Sequence, residues 1–267
     1  MTTNEMITLL TTGLALTGLA AATPPSSDQL AFEQADQAVW QEVFNDPCTG
    51  DWKEKWFLDG EVATVQNTPK GMVLTSGPEF MNDTHHMVLW TREIFHGDIK
   101  IEYDFTRLDS SKEGVNIIYI QATGSGKGPF VEDITQWSNL RNIPAMRMYF
   151  NHMHTYHISY AVGMPGSDYI RARRYIPEAA GLDGTDIPPD YGKTDLFGPG
   201  IPHKMTIIKR GLSLSMQVQS PGKTEFYHWK NDRFPPITSG RIGLRQMFTK
   251  SGLYSNFSVS VPSETAP

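Results

Sequence analysis

Residues 99–106 alternate strictly: Ile99, Ile101, Tyr103 and Phe105 are apolar, while Lys100, Glu102, Asp104 and Thr106 are polar. Successive side chains of a strand point to opposite faces, so a period of two predicts a strand with one face in a core and the other exposed. Shorter runs of strand formers recur at residues 72–75, 87–91, 115–121, 205–209, 212–218, 226–229, 241–247 and 256–261. Gly211, Pro221-Gly222 and Ser239-Gly240 punctuate the later ones as turns. Residues 30–44 carry a weak helical spacing (Leu30, Ala31, Ala35, Ala38, Val39, Phe44) that passes into a strand at 39–44. Strands do not alternate with helices, so a doubly wound α/β fold is disfavoured. Many short strands predict an all-β sandwich, with Leu212, Leu214, Met216 and Val218 packing opposite Ile242 and Leu244.

At 267 residues the chain is long enough to bury one large core, expected over residues 39–262. Residues 23–38 read as a linker with a short helix, and 263–267 as a tail. Residues 7–22 form an apolar run ending in Ala20-Ala21-Ala22 before Thr23-Pro24-Pro25. That is the shape of a signal peptide, although Glu5 stands where a basic n-region is usual. Export to the periplasm or medium is expected, with no other membrane association. The net charge of −6 argues against a nucleic-acid surface. Cys48 is the only cysteine, which excludes an internal disulfide and a thiolate metal site. Its turn-like setting predicts a structural thiol rather than a nucleophile.

Residues 146–160 concentrate proton-transfer groups: Tyr149, Asn151, His152, His154, Tyr156, His157 and Tyr160. They read as two strands meeting at 151–155. The following segment, 163–202, is dense in Gly, Pro and Asp and reads as a long functional connection holding Arg171, Arg173 and Arg174.

Residues 203–209, 212–218, 240–245 and 254–259 resemble the closing strands of concanavalin A-like lectin/glucanase jelly rolls. The stretches 85–91, 97–105, 116–122 and 151–160 are more specific, and together they resemble the YesU-like family, a bacterial domain family of unknown function. The resemblance spans roughly residues 44–261. It implies a concanavalin A-like jelly-roll β-sandwich with its ligand on the concave face of one sheet. Family members tend to occur among genes for the breakdown of plant or algal polysaccharides, which implies a polysaccharide or oligosaccharide partner. No established catalytic residues come with it.

Three roles suit such a groove. A polysaccharide lyase needs a base, an acid and groups that neutralise a uronate carboxylate. His154 or His157 would be the base and Tyr160 or Tyr156 the acid. Asn151, Asn116 and Gln121 would orient the sugar, Arg171 and Arg173 would meet its carboxylate, and His86, His152 and Arg245 would lie nearby. A glycoside hydrolase would use Glu102 and Asp104, which share a strand face. The third acidic position of the laminarinase-like pattern they resemble is Arg107, and the pair reads equally well as a solvent face. A non-catalytic binding domain would stack sugars on Trp90, Tyr119, Tyr191 or other aromatic rings. No cofactor is expected. His152 and His154 with His85-His86 could approach a metal, though no His-Glu-x-x-His is present, and Asp183, Asp186 or Asp190 could hold a structural calcium, though no loop motif supports it.

Overall fold

The computed structural model describes residue 1 and residues 24–164, 166–179 and 181–263. The apolar run at 7–22 lies outside them. A helix, α1 (Ser27–Asp36), is capped by Ser26, whose hydroxyl accepts from the Gln29 amide. Sixteen strands follow: β1 (Trp40–Asp46), β2 (Trp56–Asp59), β3 (Thr64–Thr68), β4 (Gly71–Thr75), β5 (Met87–Thr91), β6 (Phe95–His96), β7 (Ile99–Arg107) and β8 (Asn116–Gly124). Then come β9 (Met153–Tyr160), β10 (Tyr169–Tyr175), β11 (Asp186–Gly192), β12 (Pro202–Arg210), β13 (Ser213–Ser220), β14 (Lys223–Lys230), β15 (Ser239–Gln246) and β16 (Ser251–Pro262).

They form two antiparallel sheets. The first runs β14-β13-β12-β7-β16-β4-β3, with β1 on β16; the second runs β11-β10-β9-β8-β15-β5-β2, with β6 on β15. Alternation fixes the core between them. Ile99, Ile101, Tyr103 and Phe105 of β7, with Leu214, Met216 and Val218, face Ile118, Ile120, Ile158, Ile242 and Leu244 of the second sheet. This is the sandwich predicted from the sequence, and the fold is a concanavalin A-like jelly roll. Leu212 departs from its expected place: it sits in the β12–β13 turn and is exposed.

Two expectations need correction. The first half of the proton-rich stretch is not a strand but a short helix, α2 (Met146–Phe150), and only its second half is β9. The segment 163–202 is not an irregular connection, since it contains β10 and β11, which pair with each other.

The outer face of the second sheet is roofed by the segment between β8 and β9, made of the 3-10 helix Ile134–Arg141 and α2. Ile134, Trp137 and Tyr149 of this roof pack on Val88, Trp90, Ile117, Tyr119 and Tyr175 in a second apolar cluster. Asp59 anchors the roof. Its Oδ2 accepts from Arg141 Nε at 2.6 Å, Trp90 Nε1 at 2.7 Å and Tyr149 Oη at 3.1 Å, all buried. Lone carboxylates are not buried this deeply without such partners.

Candidate functional site

Strand parity divides the residues singled out in the sequence into separate environments. Tyr156 and Tyr160 share the face of Ile158 and lie fully buried in the core. Tyr156 Oη accepts from Asn231 Nδ2 at 3.0 Å, and Tyr160 Oη lies 3.2 Å from Tyr254 Oη. Burial pushes the Tyr160 phenol well above its ordinary value, so it is no proton donor to a bound sugar. Asn116 belongs to the same cluster, with Nδ2 3.4 Å from Tyr254 Oη. Gln121, at a break in the β8–β9 register, donates to the carbonyls of Phe95 and Gly97 and is also buried.

His157 points to the opposite face, beneath the roof. Its Nδ1 lies 2.6 Å from Tyr175 Oη and its Nε2 2.5 Å from Ser159 Oγ, and it is 3% exposed. Burial, with Arg173 and Arg245 nearby, holds its pKa well below the usual range. Trp90 and Tyr119 stack at 5.4 Å under Tyr149, and Arg245 lies 4.7 Å from the Tyr149 ring. Arg245 Nη2 meets His86 Nδ1 at 2.6 Å and the Pro144 carbonyl at 2.8 Å. Burial first and Arg245 second lower the His86 pKa to about 3. Trp90, Tyr119, Arg245 and His86 are therefore sealed, because the roof fills the face where a sugar was expected.

The remaining candidates are dispersed. Arg171 and Arg173 are neutralised by Asp190 and Asp186, at 2.6 and 2.9 Å. Those two carboxylates are thereby taken from the proposed calcium set. Among the described residues no three His, Cys, Asp or Glu side chains converge as a metal site. His152 stacks on Phe130 at 3.6 Å, away from His85, whose Nδ1 accepts from the Glu79 amide. Asn151 ends α2. Tyr191 bonds Asp28 at 2.8 Å and holds α1 to the sandwich. Glu102 and Asp104 sit on the outer face of the first sheet: Glu102 lies 3.8 Å from Lys100 and 3.7 Å from Lys204, and Asp104 accepts from Asn256 at 2.6 Å. Cys48 is buried, and burial raises its thiol to about 12, which leaves it a structural residue.

His154 has a different setting. Its strand parity is that of Tyr156 and Ile158, but it stands at the start of β9, where the sandwich ends and the core face opens. There Arg174 at the end of β10, the stretch Ile176 to Glu178 and the connection from β14 to β15 surround a cleft of about 520 Å³. Its lining includes the apolar residues Phe234, Pro235, Pro236, Ile237 and Ile176. The polar residues His154, Arg174, Glu132, Glu178, Thr123, Thr238 and Ser239 line it as well. Arg174 Nη1 lies 3.4 Å from His154 Nδ1 and also donates to the Tyr175 carbonyl. Burial and the Arg174 charge lower the His154 pKa, so the imidazole is neutral at pH 7 and can accept a proton or a hydrogen bond. Glu178 is held below the usual carboxylate range, chiefly by Lys127 Nζ at 2.9 Å.

Glu132, Glu178 and Phe234 are not among the residues the sequence singles out, and Arg174 is marked there only as part of the arginine cluster, without the role given to Arg171 and Arg173. One signal was present for the core tyrosines: apolar Ile158 lies between Tyr156 and Tyr160 in the alternation and marks their face as the inner one. Nothing local marks Phe234 or Glu132, which reach the cleft only through tertiary folding.

The fold has solved relatives. A protein of unknown function with a galectin-like fold from Bacillus subtilis superposes with a TM-score of 0.60 at 19% identity, over 84% of this chain and 100% of that one. The exoplasmic/lumenal domain of VIP36, in a form bound to Ca2+ and Man3GlcNAc, gives 0.53 at 9% identity, over 86% and 92% of the two chains. Winged bean acidic lectin complexed with methyl-α-D-galactose gives 0.53 at 9% identity, over 83% and 98%. No curated protein matches the sequence. Residues 48–259 match the family model described as a domain of unknown function, DUF1961, and the chain belongs to that family.

Proposed function

We propose that this protein binds a polysaccharide or its oligosaccharides in the cleft between His154, Arg174 and the 234–238 loop. The observation that carries the reading is the cleft itself. An open trough lined by apolar side chains together with an imidazole, a guanidinium, two carboxylates and three hydroxyls offers both of a sugar's demands, a surface for its C–H face and partners for its hydroxyls. The saccharides in the VIP36 and winged bean lectin structures lend the fold-level support. The test is calorimetry against plant and algal oligosaccharides. Phe234→Ala, which removes the aromatic part of the wall, should weaken binding roughly tenfold, in line with about 1.4 kcal/mol for a stacking contact. Unchanged affinity in Phe234→Ala and His154→Ala would remove the site from this cleft.

A second reading adds turnover, and the neutral His154 imidazole favours it. In a β-elimination, His154 would take the proton from the carbon beside a sugar carboxylate. That C–H electron pair becomes the new C=C bond as the neighbouring C–O glycosidic bond breaks, and the imidazolium returns its proton to the leaving oxygen. The paired phenol first assigned to this chemistry is buried, so one imidazole would serve both transfers. Formation of a chromophore absorbing in the near ultraviolet, lost in His154→Ala, checks this. Hydrolysis is disfavoured: Glu102 and Asp104 lie on the other sheet, and Glu178 is ionised at neutral pH rather than a proton donor. We also propose that the protein is exported, on the pattern of residues 7–22; N-terminal sequencing of material from the native host tests it, and retention of residues 1–22 would refute it.

A further inference from the structure

Five arginines are buried: Arg107, Arg141, Arg174, Arg241 and Arg245. Three of them face carboxylates: Arg107 with Asp109 at 2.9 Å, Arg141 with Asp59 at 2.6 Å and Arg241 with Asp133 at 3.1 Å. A buried guanidinium without an anion is costly, so these pairings are the expected state. Arg245 has none, but it is sealed under the roof against His86 and Pro144. Arg174 alone is 4% exposed, lines an open cleft and has no carboxylate within ion-pair distance among the described residues. Its Nη1 is engaged by the Tyr175 carbonyl and His154. Its Nε is enclosed without any partner, and no protein acceptor takes Nη2 among the described residues.

Nη2 is therefore the nitrogen left to give a charge-assisted hydrogen bond to an anion in the cleft, since Nε is enclosed by protein. The two acids in the cleft do not fill that role. Glu178 acts on Arg174 only from beyond ion-pair distance and is bound to Lys127, and Glu132 is exposed at the rim, where it can accept from sugar hydroxyls. We propose that Arg174 is the anchor for the carboxylate of a uronic acid residue, which makes acidic glycans the ligand class of this cleft. This rests on the saccharide-binding reading above and narrows it. The carboxylate replaces the missing counter-ion of Arg174, His154 lies beside the anchored group, and the ring lies along Phe234 and Pro236.

The experiment measures binding of the full protein to uronate-containing plant and algal oligosaccharides, and to the same compounds with each carboxyl reduced to the alcohol. The acidic form should bind at least tenfold more tightly, and its affinity should fall with added salt while that of the reduced form does not. Arg174→Gln should abolish the difference, and Arg174→Lys should retain part of it. The comparison of the two ligands on unaltered protein decides the matter even if a variant folds poorly. Equal affinity for acidic and reduced forms, or an undiminished preference in folded Arg174→Gln, overturns the inference and leaves saccharide binding intact. Binding of neither form overturns both.

Discussion

The hydroxyls of Tyr160 and Tyr254 meet at 3.2 Å between the sheets, and Tyr103 shares the same buried cluster. Each phenol contributes most of its stabilisation through its ring, with one modest hydrogen bond added. Tyr160→Phe should therefore cost only about 1 kcal/mol in denaturant unfolding and leave glycan affinity within twofold. A large loss of binding or turnover with an unchanged fold would return this phenol to the site. The same parity separates His154 from His157. Three positions apart on one strand, they lie on opposite faces, one at the mouth of the cleft and the other under the roof. Their chemistry was legible in the sequence, but which face stays wet was not, since that depends on where the roof at 134–150 and the loop at 234–238 settle in the fold. Arg174 shows this most clearly: Arg171 and Arg173 looked like the anion-binding pair, yet acids from β11 neutralise both and leave their neighbour unpaired.

Among elements, the roof decides what the second sheet can do. Gly243 of β15 lies opposite Trp90, and a Cβ there would come within 2.5 Å of the indole ring. The missing side chain lets Trp90 lie flat and start the stack with Tyr119 and Tyr149. Gly243→Ala should force that stack apart and destabilise the protein by about 1–3 kcal/mol. Asp59→Ala should cost more, about 3–5 kcal/mol, because Arg141 would remain buried without its counter-ion. Hydrogen exchange should then accelerate across residues 134–150 before it does in β7 or β16. Uniform acceleration instead would show that roof and sandwich open as one unit. The strands were legible because each repeats a local period of two. The roof has no such period, and its apolar residues find their partners only on the assembled surface of β5, β8, β9 and β10.

At the scale of the whole molecule, acid stability follows from imidazoles that are buried uncharged. His86 titrates near 3, and His157 and His203 are also held below the ordinary value of 6.5, burial being the first cause in all three. When a folded-state pKa lies below the unfolded one, the unfolded chain binds the extra proton. The stability each group confers is therefore complete above about pH 6.5 and declines as the pH falls from there toward its folded-state pKa. The slope from any one of them is at most about 1.4 kcal/mol per pH unit. Asp59 works against them: burial raises its folded pKa, so its protonation favours the native state at the acid end of the range. Asp133 and Glu178 have lowered values and add their own loss only as the pH falls through the carboxylate range. The histidines therefore act first. Loss of stability should begin below about pH 6.5, ahead of the carboxylate range. Urea unfolding at pH 7.5, 6.5 and 5.5 should show little change over the first step and a steep drop over the second. His157→Gln should flatten that drop by roughly one proton. A stability constant from pH 7.5 to 5.5 would mean that these three imidazoles take up protons in the folded protein as readily as in the unfolded chain.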